Sequence, residues 1–378
     1  MEYSYDGEDV EQFLTGYMDT VEGPANGRIA HRVGKRWRIQ IPDPSFTWSE
    51  LCSAGIHLTL RISAPTSVTF MVYEQYAMPD TFAVLHHEHG RNVVDNIRAQ
   101  GAGRYVSSPD GSFTLQKGSP CVIRLVPNAG GQGEYTIILP HTCATEVVSI
   151  VSEAPVYPLG AATDRPRWTH YGSSISHGMQ VASPADRWPE RVAASLDLSL
   201  ADLSVSGNAQ IDAAVARTIA GIPADVITCS IGINLVNADS MRERAFVPAL
   251  HGFLDIIRDS QPKTLVVLMT AGSCPVQEHT PGPAFLNDDG YFVTARRDIE
   301  HDEGALTLQR TRELIDDVYA SRHDAHMRLV DGRELFGPND VGLLDDHLHP
   351  NPEGVDLMAR RMGALMRRIL NEEVRTHV

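Results

Sequence analysis

The chain has 378 residues, 42% of them hydrophobic and 21% charged, with 30 Gly and 23 Pro. That profile is ordinary for a folded protein of about two domains and excludes disorder, collagen and coiled coil. Against 48 Asp+Glu there are only 32 Lys+Arg, a formal charge of −16. Both halves are acidic, with 11 basic and 17 acidic residues in 1–160 and 21 and 31 in 161–378, so no nucleic acid and no anionic membrane is expected as a partner.

In chain order, the acidic start MEYSYDGEDVEQF lacks a basic and apolar leader, so a cytoplasmic location is expected. Val10–Tyr17 reads as a short amphipathic helix. From Gly27 to Glu153 the chain alternates with period two, in Arg36–Ile41, His57–Ile62, Val68–Gln75, Ser112–Gln116, Cys121–Val126 and Glu134–Leu139. Six such runs broken by Gly, Pro, Asn and Asp predict an antiparallel, jelly-roll-like β-sandwich over residues 1–160. A Pro-rich stretch, Pro155–Pro166, reads as the linker. Beyond it the rhythm changes. Strand-length apolar runs at Arg167–Gly172, Leu200–Gly207, Ala224–Gly232, Thr264–Ala271 and Met327–Gly332 alternate with amphipathic helices near Arg187–Ala194, Ile211–Ile219, Val247–Arg258, Leu306–Tyr319 and Glu353–Ile369. That alternation predicts an α/β domain with a parallel sheet over 161–378. The longest clean apolar run, Leu265–Ala271, is too short to cross a bilayer. Five cysteines (Cys52, Cys121, Cys143, Cys229, Cys274) are odd in number and contain no CxxC pair, which fits reduced, mostly buried thiols.

Four blocks carry chemistry. Ser174, in YGSSISHG, follows the first strand of the α/β half, at the sheet edge where such folds place their sites. The block is not a G-x-S-x-G elbow, because position 176 is Ser, and taken alone it reads more commonly as a Gly/Ser turn. In DDHLHPNPEG, Pro350 and Pro352 keep Asp346 and His349 on an irregular loop, with Asn351 as cap of the last helix. Three residues apart on a turn, Asp346 can reach His349 Nδ1–H and leave Nε2 free as a base for a serine hydroxyl. A charged loop capped by a helix is the plain alternative, and a metal held by Asp345, His347 and His349 the remoter one. Gly207 in SVSGN can offer an unobstructed N–H, and Asn234 in SIGIN an amide donor for an oxyanion. Each is a turn residue by itself, but all four lie in order at strand ends.

This set resembles the SGNH, or GDSL-type, hydrolase and acyltransferase superfamily, from about Pro166 to Leu370. The resemblance implies a flavodoxin-like α/β/α sandwich with no metal and no cofactor. It makes Ser174 the nucleophile, His349 the base and Asp346 its orienting acid. The Ser174 N–H, the Gly207 N–H and the Asn234 amide would form the oxyanion hole. Two positions depart from the pattern: G-D-S has become Gly172-Ser173-Ser174, and the Asp that usually follows the third-block Asn is Leu235. A β-sandwich ahead of such a domain is similar to two-domain carbohydrate esterases and to GDSL salicylyl acyltransferases of tetracycline-type polyketide biosynthesis. The implied reaction is transfer of an acyl group, salicylyl among the candidates, from a coenzyme A thioester co-substrate to a polyketide or glycoside hydroxyl. An intracellular carbohydrate O-acetyl esterase or carboxylester hydrolase is the alternative, and an inactive SGNH-like binding protein the rival of another class.

Other residues draw attention. The run His86–His89 suggests metal ligation but reads better as a solvated loop. His170 and His177 flank the serine, either touching substrate or packed. Cys274 has no partner base and reads as a buried thiol. The Gly272–Gly290 loop is long enough to line a pocket, and Arg296 and Arg297 beyond it are an exposed pair or contacts for an anionic donor.

Overall fold

A computed structural model describes the chain except residues 1, 77, 89–90, 108–112, 129, 160–164, 296–302 and 377–378. The chain divides into two compact units, Met1–Lys35 with Thr47–Asp164 and Ala182–Ala185, and Arg36–Phe46 with Arg165–Val181 and Asp186–Val378. The two short excursions are what a single cut between residues 160 and 161 does not represent.

The first unit holds two sheets, antiparallel but for one short parallel pair, of eight and six strands. His57–Ile62 and Gly133–Ile138 pair in the smaller sheet, and Thr66–Glu74 pairs with Cys143–Ser152 at the centre of the larger. Leu58, Leu60, Ile62 and Ile137 from one sheet share a buried core with Val68, Phe70, Val72 and Ile150 from the other. In His57–Ile62 and Gly133–Ile138 the alternation read from the sequence is thus the inward face of the strand. The Val10–Tyr17 segment is a 3-10 helix over Gly7–Phe13 followed by a two-residue strand.

Arg36–Ile41 is not a strand. Lys35–Arg38 forms one helical turn, Gln40 and Ile41 N–H close turns onto Trp37 and Arg38 carbonyls, and Ile39 is 75% exposed. The alternating apolar residues find no neighbouring strand; Trp37 instead carries the guanidinium groups of Arg36 and Arg217 on its ring.

In the second unit, β1 (Arg167–Tyr171), β2 (Ser199–Asp202), β3 (Val226–Ser230), β4 (Leu265–Met269) and β5 (Met327–Val330) form a five-stranded parallel sheet in the order β2-β1-β3-β4-β5. Every residue of β4 is buried, as a strand covered on both faces requires. Helix α1 (Trp188–Leu196) and helix α3 (Pro352–Thr376) pack on one face through Trp188, Val192, Met358, Met362 and Met366. Between them in sequence, α2 (Glu243–Ser260) buries Phe246, Leu250, Phe253, Leu254 and Ile257, and Phe253 meets Tyr171 of β1 at 5.4 Å. Among the described residues no helix is long and apolar enough to cross a membrane.

Candidate active site

The parallel sheet brings the residues after its strands to one edge. After β1 the chain turns through Gly172, where a Cβ would lie 2.3 Å from Ser176 Oγ and 3.0 Å from His170 Nε2, so only glycine fits. Ser173 caps a four-residue helix, Ser174–His177, its hydroxyl accepting the Ile175 N–H at 3.3 Å. Ser173 thereby occupies the position of the pattern's Asp and still supplies an acceptor. Leu235, the other departure, is fully buried.

Ser174 is only 4% exposed. Its hydroxyl lies 2.8 Å from His349 Nε2, and His349 Nδ1 lies 2.7 Å from Asp346 Oδ2. Asp346 also accepts the Leu348 and His349 N–H groups at 3.0 and 2.7 Å, and Gln180 Nε2 donates to it at 3.3 Å. Burial pushes the Asp346 carboxyl up, but the His349 hydrogen bond and charge and the two backbone donors outweigh it, so its pKa is lowered. An ionised Asp346 fixes the proton on Nδ1 and leaves Nε2 to accept from the serine. The loop is closed by Asp345 N–H to His349 O and Asn351 N–H to Leu343 O, and Asn351 Oδ1 caps α3 by accepting the Gly354 N–H at 3.0 Å.

Gly207 has φ +71°, the left-handed backbone that favours glycine, and an added Cβ there would meet nothing. Asn234 is buried; its Oδ1 accepts the Ala209 N–H at 3.0 Å, and its Nδ2 has no hydrogen-bond partner among the described residues. A buried amide donor left open just beyond the end of β3 is suited to an oxyanion. Backbone bonds stitch these loops together: Val205 N–H to Gly172 O, Leu203 N–H to His170 O.

His170 and His177 are packed, both fully buried. His170 Nδ1 pairs with Thr228 Oγ1 at 2.7 Å and Nε2 with Ser176 Oγ at 2.8 Å, and burial, assisted by Arg187 against Asp202, lowers its pKa to about 4. Cys274 is buried and its thiol is pushed up to about 11 by burial, opposed by backbone hydrogen bonds. His347 stacks on Tyr291, with ring centroids 4.4 Å apart. The His86–His89 run begins on the strand Thr81–Glu88, where His86 Nε2 meets Asp95 at 3.0 Å, rather than on a loop; His89 lies outside the described residues. Arg296 and Arg297 also lie outside them.

Two supports escaped the sequence reading. Arg187 is fully buried, donates to the carbonyls of His177 at 2.8 Å and Ser176 at 3.1 Å, and pairs with Asp202 at the end of β2. The only sequence signal was a carboxylate inside an apolar strand run. The second is a hairpin, Ala284–Leu286 with Phe292–Thr294, which begins in the Gly272–Gly290 loop and closes just beyond it. Its Phe292 N–H bonds to Asp346 O at 2.9 Å, and its ring sits edge-on to His349 at 5.6 Å.

Residues 170–357 match the model of the GDSL-like Lipase/Acylhydrolase family. None of the curated proteins matches the chain. Among solved structures, the chain is similar to the salicylyl-acyltransferase SsfX3 from a tetracycline biosynthetic pathway, with a TM-score of 0.75 and 21% identity over 96% of this chain and 97% of that one. It is also similar to a protein described as a GDSL-like lipase from Bacteroides ovatus (TM-score 0.67, 18% identity, 98% of both chains). A family two carbohydrate esterase from Cellvibrio japonicus gives a TM-score of 0.60 at 12% identity, again over 98% of both chains. These likenesses identify the fold as an SGNH-type α/β domain with an additional N-terminal β domain. The chain carries a GDSL-like lipase/acylhydrolase domain over residues 170–357 and is a serine-dependent enzyme.

Proposed function

We propose that the protein is an O-acyltransferase that moves an acyl group from a thioester donor, an acyl-coenzyme A, to a hydroxyl of a polyketide or glycoside. The observation that carries the chemistry is the unbroken line from Asp346 through His349 to Ser174, 2.7 and 2.8 Å per step. In this reading His349 Nε2 takes the Ser174 proton as Oγ attacks the thioester carbonyl. The resulting oxyanion is held by the Asn234 amide and by the Gly207 and Ser174 N–H groups. Collapse expels the thiol, which leaves with the proton from His349, and Ser174 carries the acyl group. An acceptor hydroxyl then gives its proton to His349, attacks the acyl-serine and departs as the ester, restoring Ser174. Asp346 stays ionised throughout and stabilises the imidazolium.

The likeness along nearly the whole chain to SsfX3 supports transfer and a polyketide acceptor. Ester hydrolysis is the second reading, favoured by the likeness to the carbohydrate esterase; it shares the acyl-serine and differs in water taking the acceptor's place. Incubation with an acyl thioester, with and without hydroxylated acceptors, separates the two. Acylated product in excess of free acid is the expected result. Free acid dominating with every acceptor, alongside rapid hydrolysis of simple esters, makes the protein an esterase. If a fluorophosphonate leaves Ser174 unlabelled, the protein is a binding protein instead.

A further inference from the structure

In acyl transfer through a serine, the histidine handles the alcohol whichever way the reaction runs. His349 Nε2 gives a proton to the oxygen of an alcohol that leaves an ester, and takes one from the oxygen of an alcohol that attacks the acyl-serine. By microscopic reversibility both oxygens stand at the same place. The groups beside the imidazole are then the ones that the alcohol's carbon skeleton reaches first. The hairpin Ala284–Leu286 with Phe292–Thr294 supplies such groups. Its Phe292 ring lies edge-on to the His349 imidazole at 5.6 Å. Two further contacts hold it against the catalytic loop: Phe292 N–H to Asp346 O at 2.9 Å, and Tyr291 stacked on His347.

The register of the hairpin decides which of its apolar residues share the His349 side. Leu286 stands directly opposite Phe292, and Phe285 opposite Val293. Side chains alternate along a strand, so Leu286 lies with Phe292 on the side of the imidazole and Phe285 on the other. Leu286 is 56% exposed and Phe285 50%. An apolar strip thus runs outward from the imidazole, with Phe292 at its inner end and Leu286 at its open end. The turn between the strands exposes two carboxylates, Asp288 and Asp289. Such a strip gains by covering its carbon surface, offers no hydrogen bond to the hydroxyls of a sugar, and has negative charge at its border to repel an anion. Resting on the acyl-serine reading above, we infer that the Leu286–Phe292 strip selects the alcohol, taking an uncharged hydroxyl carried on a flat apolar ring system in preference to the hydroxyl of a sugar.

The test uses acetate esters of ethanol, 2-naphthylmethanol and the primary hydroxyl of methyl glucoside, so that the acyl group and the primary-alcohol leaving group are held alike. Rates are read as kcat/KM, which covers the steps through departure of the alcohol. The wild-type protein should prefer the naphthylmethyl ester to the glucoside ester by about tenfold or more. Leu286→Ala should lower the ratio of naphthylmethyl to ethyl ester by about 5–10-fold. Phe285→Ala, a truncation of an equally exposed residue on the opposite side of the same hairpin, should leave that ratio as in wild type. A naphthylmethyl ester no better than the other two overturns the inference. So does a ratio that Leu286→Ala leaves unchanged, or that Phe285→Ala lowers equally. If no ester in the series and no fluorophosphonate modifies Ser174, it is the acyl-serine reading that fails, a result distinct from acylation of Ser174 without preference among alcohols.

Discussion

Asn234 offers the sharpest separation of catalysis from stability, because the two ends of its amide have different partners. Oδ1 accepts the N–H of buried Ala209 at 3.0 Å, while Nδ2 is a buried donor with no partner among the described residues. Asn234→Ala deletes both. Loss of the donor end is felt only when the oxyanion forms, so kcat should fall by about 10²–10³-fold, or about 2.7–4 kcal/mol, with KM little changed. Loss of the acceptor end strands the Ala209 N–H in the folded protein, at about 1–3 kcal/mol of stability. Asn234→Asp removes the donor while keeping the acceptor. A carboxylate still accepts from Ala209, yet it offers no donor and sets negative charge beside a developing one, so the Asp variant should lose at least as much kcat as the Ala variant; its buried charge, with one N–H partner, costs stability as well. Steady-state kinetics on p-nitrophenyl acetate, with Ser174→Ala as the zero, and a denaturation midpoint for each protein supply both numbers. A folded Asn234→Ala or Asn234→Asp protein running at the wild-type rate would refute the oxyanion assignment.

Three further expectations rest on the same geometry. Gly172→Ala would drive a Cβ to 2.3 Å from Ser176 Oγ, so the nucleophile loop must shift; a displacement of about 1 Å lowers kcat by about 10²-fold, measurable against an unchanged circular dichroism spectrum. Arg187→Met leaves Asp202 buried beside an apolar side chain and should cost about 3–5 kcal/mol in a melt or denaturant titration. The double variant Arg187→Met/Asp202→Leu should recover stability but not kcat, because the clamp on the Ser176 and His177 carbonyls is still missing. His170, ordinarily titrating near 6.5, is held neutral down to about 4 by burial. The unfolded chain then binds the extra proton first as pH falls, so stability drops between those two values by on the order of 3 kcal/mol. His170→Gln should flatten that part of the pH–stability curve, and an equally steep slope in wild type and variant would show that His170 is not its source.

The second unit was legible because its signals are local. Each parallel strand is a short apolar run, each helix carries a stripe, and the reacting residues sit in loops whose Gly, Pro and Asn positions announce turns. Ser174, Asp346 and His349 needed only a turn and a strand end to be brought together. Much of the first unit was not legible, for a physical reason. Cys143–Ser152 is central in its sheet and its first five residues are all buried, so no alternation marks it. It even carries Glu146 inside the core, where the Ala25 and Gly27 N–H groups and the Tyr73 hydroxyl satisfy the carboxylate. Arg36–Ile41 shows the converse failure, a period of two that no second strand completes. Arg187 is invisible for a related reason: at the start of a helix an arginine reads as solvated, and the Asp202 carboxylate on a neighbouring strand, with the Ser176 and His177 carbonyls, makes its burial tolerable.

The two departures from the family pattern share a chemistry. Each replaces a carboxylate next to an oxyanion donor with an uncharged side chain, Ser173 before Ser174 and Leu235 after Asn234. What the fold demands of position 173 is an acceptor for the first free N–H of a one-turn helix, and a hydroxyl meets that demand through Ile175. What it demands of position 235 is set by complete burial, and leucine meets that without needing a partner for a charge. Neither replacement moves the serine, since Ser174 is fixed from other sides, by Gly172 where a side chain cannot fit, by Arg187 on the carbonyls that follow, and by His349 on its hydroxyl. A serine held in this way by backbone geometry and buried donors can lack two neighbouring carboxylates and keep its hydrogen bond to His349. In a buried site, fewer negative groups beside Asn234 and Ser174 would leave a developing oxyanion less opposed.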